Sequence, residues 1–233
     1  MGLRLNVYLR GGAGSGKTTA CEKAAEALGL PFYCQSMGPQ TSQSQLLGYM
    51  DATGRFVEGF LFKGFTEGGV ICLDEIDNAN ASVLTVLNSA MANGYCSFPC
   101  GMAQKHPDCI FVVSGNTFGT GADALYVGRT QLDAATLNRF VVIEWPYDEA
   151  FERDLVQAKA GTSEPVERWV THVQRLRAAA VATRVRVVFS PRQSMAGATL
   201  LAAGRPWPEV EQAVLWAPVS HDDRRKLEAN LAN

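Results

Sequence analysis

Long apolar runs, a targeting signal and a strong charge excess are all missing from this 233-residue chain. No apolar stretch approaches the roughly 18 residues needed to span a bilayer, and the strand-like residues 5–9 are too few for the core of a signal peptide. The 23 acidic residues nearly balance the 21 basic ones, and the net charge of -2 argues against a protein that coats nucleic acid. We therefore expect a cytoplasmic protein with no membrane partner.

The sequence also lacks a disulfide framework. Its six cysteines are scattered, at Cys21, Cys34, Cys72, Cys96, Cys100 and Cys109. We interpret them as reduced thiols, since no secretory signal accompanies them. A zinc ion could take four ligands from one segment, namely Cys96, Cys100, His106 and Cys109. Their spacing departs from the usual C-x2-C knuckle, so a zinc site is not favoured.

Apolar residues make up 47% of the chain, which is enough to form a substantial buried core. Strand-type and helical stretches alternate as far as Pro146, which predicts a parallel α/β sheet. The strand candidates are residues 5–9, 32–35, 70–73, 110–114 and 140–144, and we expect the last three to be buried. Helical periodicity dominates beyond Pro146. The sequence thus predicts an α/β domain at 1–147 and a small helical domain at 148–233.

Residues 11–18 fit the pattern G-x-x-x-x-G-K-[ST] and lie between a predicted strand and a predicted helix. Glycines in such a loop permit the turns that aim backbone N–H groups at phosphate oxygens. Lys17 would neutralise the β- and γ-phosphates, and Thr18 would ligate Mg²⁺. A plain glycine-rich turn is the alternative, which the preceding strand disfavours. The predicted nucleotide-binding residues are Gly11, Gly12, Ala13, Gly14, Ser15, Gly16, Lys17, Thr18 and Thr19.

An acidic pair, Asp74 and Glu75, ends the apolar strand candidate at 70–73. Asp74 can hold the metal directly or through water, and Glu75 can polarise a water for attack on the γ-phosphate. Taken alone, such a pair is as often a helix-capping feature. Combined with the glycine loop it predicts catalysis, with ATP and Mg²⁺ as the cofactors.

Four ordered motifs resemble those of the AAA+ ATPases. They are GGAGSGKTT (11–19), VICLDEID (70–77), SGNT (114–117) and ATLNRF (135–140). The segments LLGYM to TGRFVEG (46–59), His106-Pro107 and NTFGTG to LNRF (116–140) narrow the resemblance to the MoxR/CobS/dynein-related branch, in a CobS-like form. It spans about residues 5 to 200 and implies a P-loop NTPase parallel-sheet sandwich of the AAA+ type followed by a small α-helical lid domain.

The resemblance implies roles for three polar residues outside the glycine loop and the acidic pair. Asn116 would be the sensor-1 residue that orients the attacking water, with an ordinary turn asparagine as the alternative. Arg139 would be the arginine finger that reaches the γ-phosphate of the neighbouring subunit, with a solvated arginine as the alternative. Arg192 would match the sensor-2 position at the start of a lid helix. Arg129 is a weaker candidate for the arginine that acts between subunits.

Two insertions resemble the hairpins of this branch. Residues 49–59 would interrupt the second helix, and residues 94–109 would precede the sensor-1 strand. Because such hairpins project towards the central pore in the family, Arg55 and Phe56 at the first tip would contact substrate. Packed surface loops are the alternative.

The function implied by the resemblance is ATP hydrolysis in a homo-oligomeric ring, expected to have six subunits, coupled to remodelling of a partner protein. A nucleic-acid motor or loader is the alternative, although neither hairpin is rich in lysine or arginine. A non-hydrolysing scaffold is a third hypothesis, which Glu75, Asn116 and Arg139 argue against. Only ten residues precede Gly11, so we expect neither the linker that covers the base in relatives nor an N-terminal recruiting domain.

Positive charge is concentrated in residues 168–192, which hold six arginines and no acidic residue. The six are Arg168, Arg175, Arg177, Arg184, Arg186 and Arg192. We hypothesise that part of this charge faces the ATPase core of a neighbouring subunit.

Overall fold

The computed structural model describes residues 4–123 and 125–232, which divide into two compact units. The first unit contains the residues up to Gly11 and Gly16–Trp145. Its elements in chain order are β1 (Val7–Arg10), α1 (Lys17–Leu28), β2 (Phe32–Ser36), α2 (Gln43–Leu47), β3 (Gly48–Met50), β4 (Phe56–Glu58), α3 (Phe60–Thr66), β5 (Gly69–Asp74), a 3-10 turn (Ile76–Asn78), α4 (Ala81–Ala92), β6 (Tyr95–Phe98), β7 (Gly101–Gln104), β8 (Cys109–Gly115), α5 (Ala134–Leu137) and β9 (Val141–Glu144).

A five-stranded sheet forms the centre of the first unit, in the order β2-β5-β8-β1-β9. All neighbouring strands are parallel, which confirms the predicted fold class. Strand β5 is buried over Gly69–Leu73, as expected for a strand covered on both faces. The carboxyl ends of β5 and β8 therefore lie side by side, and the segments that follow both strands meet at one edge of the sheet.

The expected burial of the last strand is wrong. In β9, Val141 and Ile143 are 47% and 41% exposed. This strand stands at the edge of the sheet and pairs only with β1 within the described part of the chain, so it lacks a neighbour on its outer side.

Two antiparallel two-stranded sheets fall within the two segments expected to form hairpins. Strands β3 and β4 pair around a turn in which the carboxylate of Asp51 accepts hydrogen bonds from the backbone N–H groups of Thr53 and Arg55. Phe56 is not at this tip: it lies in β4 opposite Met50, with its ring 5.0 Å from that of Phe62. Only Arg55 of the two predicted substrate contacts is exposed in the turn. Strands β6 and β7 form the second hairpin.

The second unit groups Gly12–Ser15 with the chain from Pro146 onward. It is helical, and its elements are α6 (Glu149–Ala160), α7 (Glu164–Thr183), α8 (Pro191–Ala202), α9 (Trp207–Glu211), a π-helical turn (Gln212–Trp216) and α10 (His221–Leu231). Its apolar core contains Trp169, which lies on α7 and is buried. Gly197 of α8 packs so closely on this indole that an added Cβ would lie 2.0 Å from the ring.

One arginine of the basic segment is a structural residue of the helical unit. Arg177 forms two hydrogen bonds of 2.9 Å to Glu152, whose side chain is almost fully buried and also accepts from the Ser194 hydroxyl. The guanidinium further donates to the backbone oxygen of Phe189 and lies over the ring of Tyr147. Its charge is therefore compensated inside the unit. The hypothesis that part of the basic segment faces a neighbouring subunit stays a prediction.

Candidate functional site

The glycine loop adopts backbone conformations that only glycine takes without strain. Gly14 and Gly16 have φ angles of +74° and +84°. Gly11 is required for space, because a Cβ there would lie 2.0 Å from the backbone oxygen of Trp145. Helix α1 begins at Lys17 directly after the loop and ends at Leu28, and Gly29 caps it in the left-handed conformation with a φ of 65°. A helix N-terminus preceded by such a loop is suited to phosphate.

Lys17 is a nearly buried cation, with only 7% of its surface exposed. Its ammonium donates hydrogen bonds to the backbone oxygen of Gly11 at 2.8 Å and to Oδ1 of Asn116 at 3.1 Å. The structure thus brings together the glycine-loop lysine and the predicted sensor-1 residue, although they are far apart in the chain. A lysine held in this way presents a positive charge where the loop would bind phosphate.

The two predicted metal ligands are also in contact. The Thr18 hydroxyl donates a 2.8 Å hydrogen bond to Oδ2 of Asp74. Oδ1 of the same carboxylate accepts from the Ser114 hydroxyl and from the backbone N–H of Glu75 at 3.0 Å. Since Mg²⁺ prefers oxygen ligands and is commonly held by one or two protein groups plus phosphate, this donor set fits that ion.

Asn116 follows β8, whose neighbour β5 carries Asp74 at its end. Tyr8 of β1 supports this position, because its buried hydroxyl donates to the backbone oxygen of Thr117 at 2.7 Å. Burial, and secondarily the negative charge of Asp77, raise the pKa of Tyr8. The phenol therefore remains a proton donor at neutral pH.

Glu75, the predicted catalytic base, is held by an arginine of its own chain. Its backbone is left-handed, with a φ of 56°, which is uncommon for a residue with a side chain. Oε1 of the carboxylate accepts from Nη2 of Arg129 at 3.3 Å. Arg129, which was predicted as a weaker candidate for contacts between subunits, thus contacts Glu75 of its own chain.

Asp77 lies next to this pair and is completely buried. Its Oδ2 accepts three hydrogen bonds, from the backbone N–H groups of Asn116 and Thr117 and from the Thr117 hydroxyl, at 2.9–3.1 Å. Oδ1 accepts from Nη1 of Arg129 at 3.2 Å. One carboxylate therefore ties the acidic segment, the SGNT segment and the loop around Arg129 together.

No role was predicted for Asp77, although the motif VICLDEID contains this residue. One sequence feature could have pointed to Asp77: it is a third acidic residue, separated from the pair Asp74 and Glu75 by the apolar Ile76 alone. Ile76 is itself buried. The contact of Arg129 had no such local signal.

The side chain of Arg139 contacts a residue close to it in the chain. Its Nη1 donates to the backbone oxygen of Ala135, one turn earlier, and its backbone oxygen accepts from Asn6. Nε is buried without a hydrogen-bond partner in the described part of the chain. The structure does not bring Arg139 into hydrogen-bond contact with Lys17, Asp74 or Glu75, so its predicted role between subunits stays a prediction.

Within the helical unit, residues 12–15 contact two C-terminal segments. The Tyr147 hydroxyl donates a 2.8 Å hydrogen bond to the backbone oxygen of Ala13. A Cβ added to Gly14 would lie 3.2 Å from side-chain atoms of both Ser190 and Arg192. Arg192, at the start of α8, therefore lies beside Gly14 of the glycine loop, and its predicted contact with a bound phosphate stays a prediction.

The residues considered for zinc lie on and after the second hairpin. Across residues 4–123 and 125–232, no group of three or more His, Cys, Asp or Glu side chains is placed to hold a metal ion. Cys96 is buried in β6, Cys100 is exposed at the turn of that hairpin, and Nδ1 of His106 accepts from the backbone N–H of Asp108.

Within residues 4–123 and 125–232, every helix is too short or too polar to cross a membrane.

Comparison with known sequences relates the chain to one family. The model of the AAA domain (dynein-related subfamily) matches residues 6–140. An uncharacterised protein of Staphylococcus aureus (strain USA300) is 30% identical over 154 residues, covering 62% of this chain and 57% of its own length. The uncharacterised protein YojN of Bacillus subtilis (strain 168) is 29% identical over 177 residues, covering 71% and 57%. This chain therefore spans little more than half the length of these relatives.

Solved structures show the same fold at low sequence identity. NtrX from Brucella abortus has a TM-score of 0.59 at 15% identity, over 94% of this chain and 52% of its own. Hsp104 of S. cerevisiae, solved in complex with casein, has a TM-score of 0.52 at 20% identity, over 66% of this chain and 31% of its own.

Proposed function

The chain belongs to the dynein-related subfamily of AAA domains, and from this premise we propose that it hydrolyses ATP with Mg²⁺ at the glycine loop. The main support for this proposal is a pair of hydrogen bonds, one between Lys17 and Asn116 and one between Thr18 and Asp74. Family membership confirms the AAA+ resemblance read from the motifs. The narrower likeness to the MoxR and CobS branch stays a prediction.

Each side chain of the site has a distinct part in the proposed reaction. Residues 11–19 would cradle the phosphates, with Lys17 compensating their charge. Bound Mg²⁺, held through Thr18 and Asp74, would supply positive charge at the β- and γ-phosphate oxygens. Glu75 would take a proton from the attacking water, and Asn116 would orient that water.

We further propose that this ATPase works as a homo-oligomeric ring, of six subunits, that remodels a partner protein. Two features support this extension. In the described part of the chain, the Arg139 side chain donates to the backbone oxygen of Ala135 and forms no ion pair, so its charge is not committed to an acid of its own chain. A protein of similar fold, Hsp104, has been solved with casein. Arg192 would act on the phosphate from the helical unit.

The decisive test of hydrolysis is Glu75→Gln. We expect this variant to bind ATP as tightly as the wild type and to lose phosphate release by about 100-fold or more, in line with the usual contribution of a general base. Glu67→Gln, an exposed glutamate at the end of α3, serves as the matched control. Wild-type turnover in Glu75→Gln would contradict the assignment of the base.

The ring is tested by Arg139→Ala. We expect an assembled but inactive particle, because the finger would act on the next subunit. Sedimentation with ATP present measures assembly, and phosphate release measures turnover. A monomeric wild-type chain that hydrolyses ATP would refute the ring while leaving the ATPase proposal intact. Affinity capture with the Glu75→Gln variant, followed by mass spectrometry, would identify the partner protein.

A further inference from the structure

Arg129 bridges two carboxylates of its own chain, and its guanidinium is mostly buried. Nη1 contacts Asp77 at 3.2 Å and Nη2 contacts Glu75 at 3.3 Å, while 14% of the side chain remains exposed. Each carboxylate receives a different nitrogen of the same planar group. A single cation thus joins a fully buried acid to the predicted catalytic base.

The backbone fixes Arg129 at this place as well. The N–H of Thr130, the next residue, donates a 2.6 Å hydrogen bond to the backbone oxygen of Asp77. Asp77 is itself fixed by three donors from Asn116 and Thr117. For Arg129 to reach another subunit, its guanidinium would have to leave the buried Asp77 carboxylate without a cation, which is strongly unfavourable.

The contact with Arg129 makes the two carboxylate oxygens of Glu75 inequivalent. Oε1 accepts from Arg129, whereas no residue within 4–123 and 125–232 donates a hydrogen bond to Oε2. The bridge therefore limits rotation of the carboxylate and leaves one oxygen able to accept a proton from water. A guanidinium suits this task because its rigid planar fork fixes the direction of the hydrogen bonds to the two acids, whereas the three donors of a lysine ammonium rotate freely around a single nitrogen.

We propose that Arg129 acts within its own subunit as a positioning residue, which is anchored on Asp77 and orients the catalytic carboxylate of Glu75. This inference rests on the proposed ATPase function. It assigns the contact between subunits to Arg139 and gives Asp77 the role of coupling the base to the SGNT segment that carries Asn116.

Single variants test the positioning role. We expect Arg129→Ala to lower kcat at least about tenfold while the affinity for ATP changes less than about twofold, since the glycine loop is untouched. Arg129→Lys should recover only part of kcat. If Arg129→Ala fails to fold, Arg129→Gln, whose shorter neutral amide retains two N–H donors, takes its place. Wild-type kcat in the folded variant would overturn the inference.

Mixed rings distinguish action within a subunit from action between subunits. Co-assembly of Arg129→Ala with Glu75→Gln chains should restore no activity, because no subunit then holds both Glu75 and Arg129. Co-assembly of Arg139→Ala with Glu75→Gln should restore activity at junctions where an intact finger meets an intact base. Recovery in the first mixture would overturn the inference and make Arg129 an intersubunit residue. Wild-type chains without any ATPase activity would instead refute the proposed function, and the inference with it.

Discussion

The hydroxyl of Thr18 donates a 2.8 Å hydrogen bond to Oδ2 of Asp74, which joins the start of helix α1 to the end of strand β5. These two oxygen groups come from motifs 56 residues apart in the chain. Because the two groups are in contact, a metal ion held by one would be within reach of the other. The site therefore depends on the relative position of helix α1 and strand β5.

Asp74→Asn should therefore weaken the Mg²⁺ dependence of the reaction. Losing the carboxylate charge should raise the Mg²⁺ concentration for half-maximal activity about tenfold or more, since hydrogen bonds and charge at such a group are worth ~1.5–3 kcal/mol. A Mg²⁺ titration of phosphate release measures the shift. Asp51→Asn, in the turn of the first hairpin, is the control and should leave the midpoint unchanged.

Lys17→Ala should abolish tight nucleotide binding. The ammonium is nearly buried against Asn116 and the loop, so its loss removes the main positive charge at the predicted phosphate position. We expect the Kd of a fluorescent ATP analogue to rise at least about tenfold, as for the loss of a charge-assisted contact. Lys23→Ala, on the same helix but exposed and paired with Glu26, should bind like the wild type. Equal affinities for both variants would contradict the phosphate assignment.

Glu152→Gln should destabilise the helical unit. Removing this carboxylate leaves the Arg177 guanidinium without its buried partner, and breaking such a pair costs ~3–5 kcal/mol. Urea unfolding followed by circular dichroism measures the difference. Glu209→Gln breaks an exposed pair with Arg205 in the same unit, for which we expect ~0–1 kcal/mol. Similar decreases in the free energy of unfolding of the two variants would show that the buried pair stabilises the unit no more than the exposed pair.

Gly197→Ala should also destabilise the helical unit, by steric overlap. The new methyl group would lie 2.0 Å from the Trp169 ring, so the indole or helix α8 must move, at a cost of ~1–3 kcal/mol or more. Tryptophan fluorescence during urea unfolding reports on both stability and the displaced ring. Ala196→Ser, the exposed neighbour on the same helix, is the control. A variant as stable as the wild type would mean that the packing here is looser than the structure shows.

The cysteines should react with iodoacetamide in an order set by burial. Cys34 and Cys100 are exposed, and a hydrogen bond from Cys72 lowers the pKa of the Cys34 thiol. Burial raises the pKa of Cys109 to about 11, so below that pH its reactive thiolate is the minor form. Mass spectrometry at pH 8 should find Cys34 and Cys100 alkylated first and Cys109 unmodified. Rapid labelling of Cys109 in folded protein would contradict its burial.

The hairpins show how far a resemblance in sequence extends. Their segments were predicted from the resemblance to the family, and an antiparallel pair of strands forms in each. The placement of Phe56 was not recognisable, because it depends on packing against Phe62 of the following helix. The same reason applies to β9: its apolar residues resemble a buried strand, and only the strand order shows that it is an edge.

The sequence by itself determined the features that depend on neighbours in the chain. Alternating elements predicted the parallel sheet, and the glycine loop followed by Lys17 and Thr18 predicted a phosphate site, because backbone conformation and motif chemistry are local. Only the tertiary structure decided which charges meet. Arg129 reaches Glu75 and Asp77 across 54 and 52 residues, and Arg177 pairs with Glu152 across 25. Such contacts depend on how distant segments are brought together in folding and on the cost of burying an unpaired charge, neither of which residue spacing reveals.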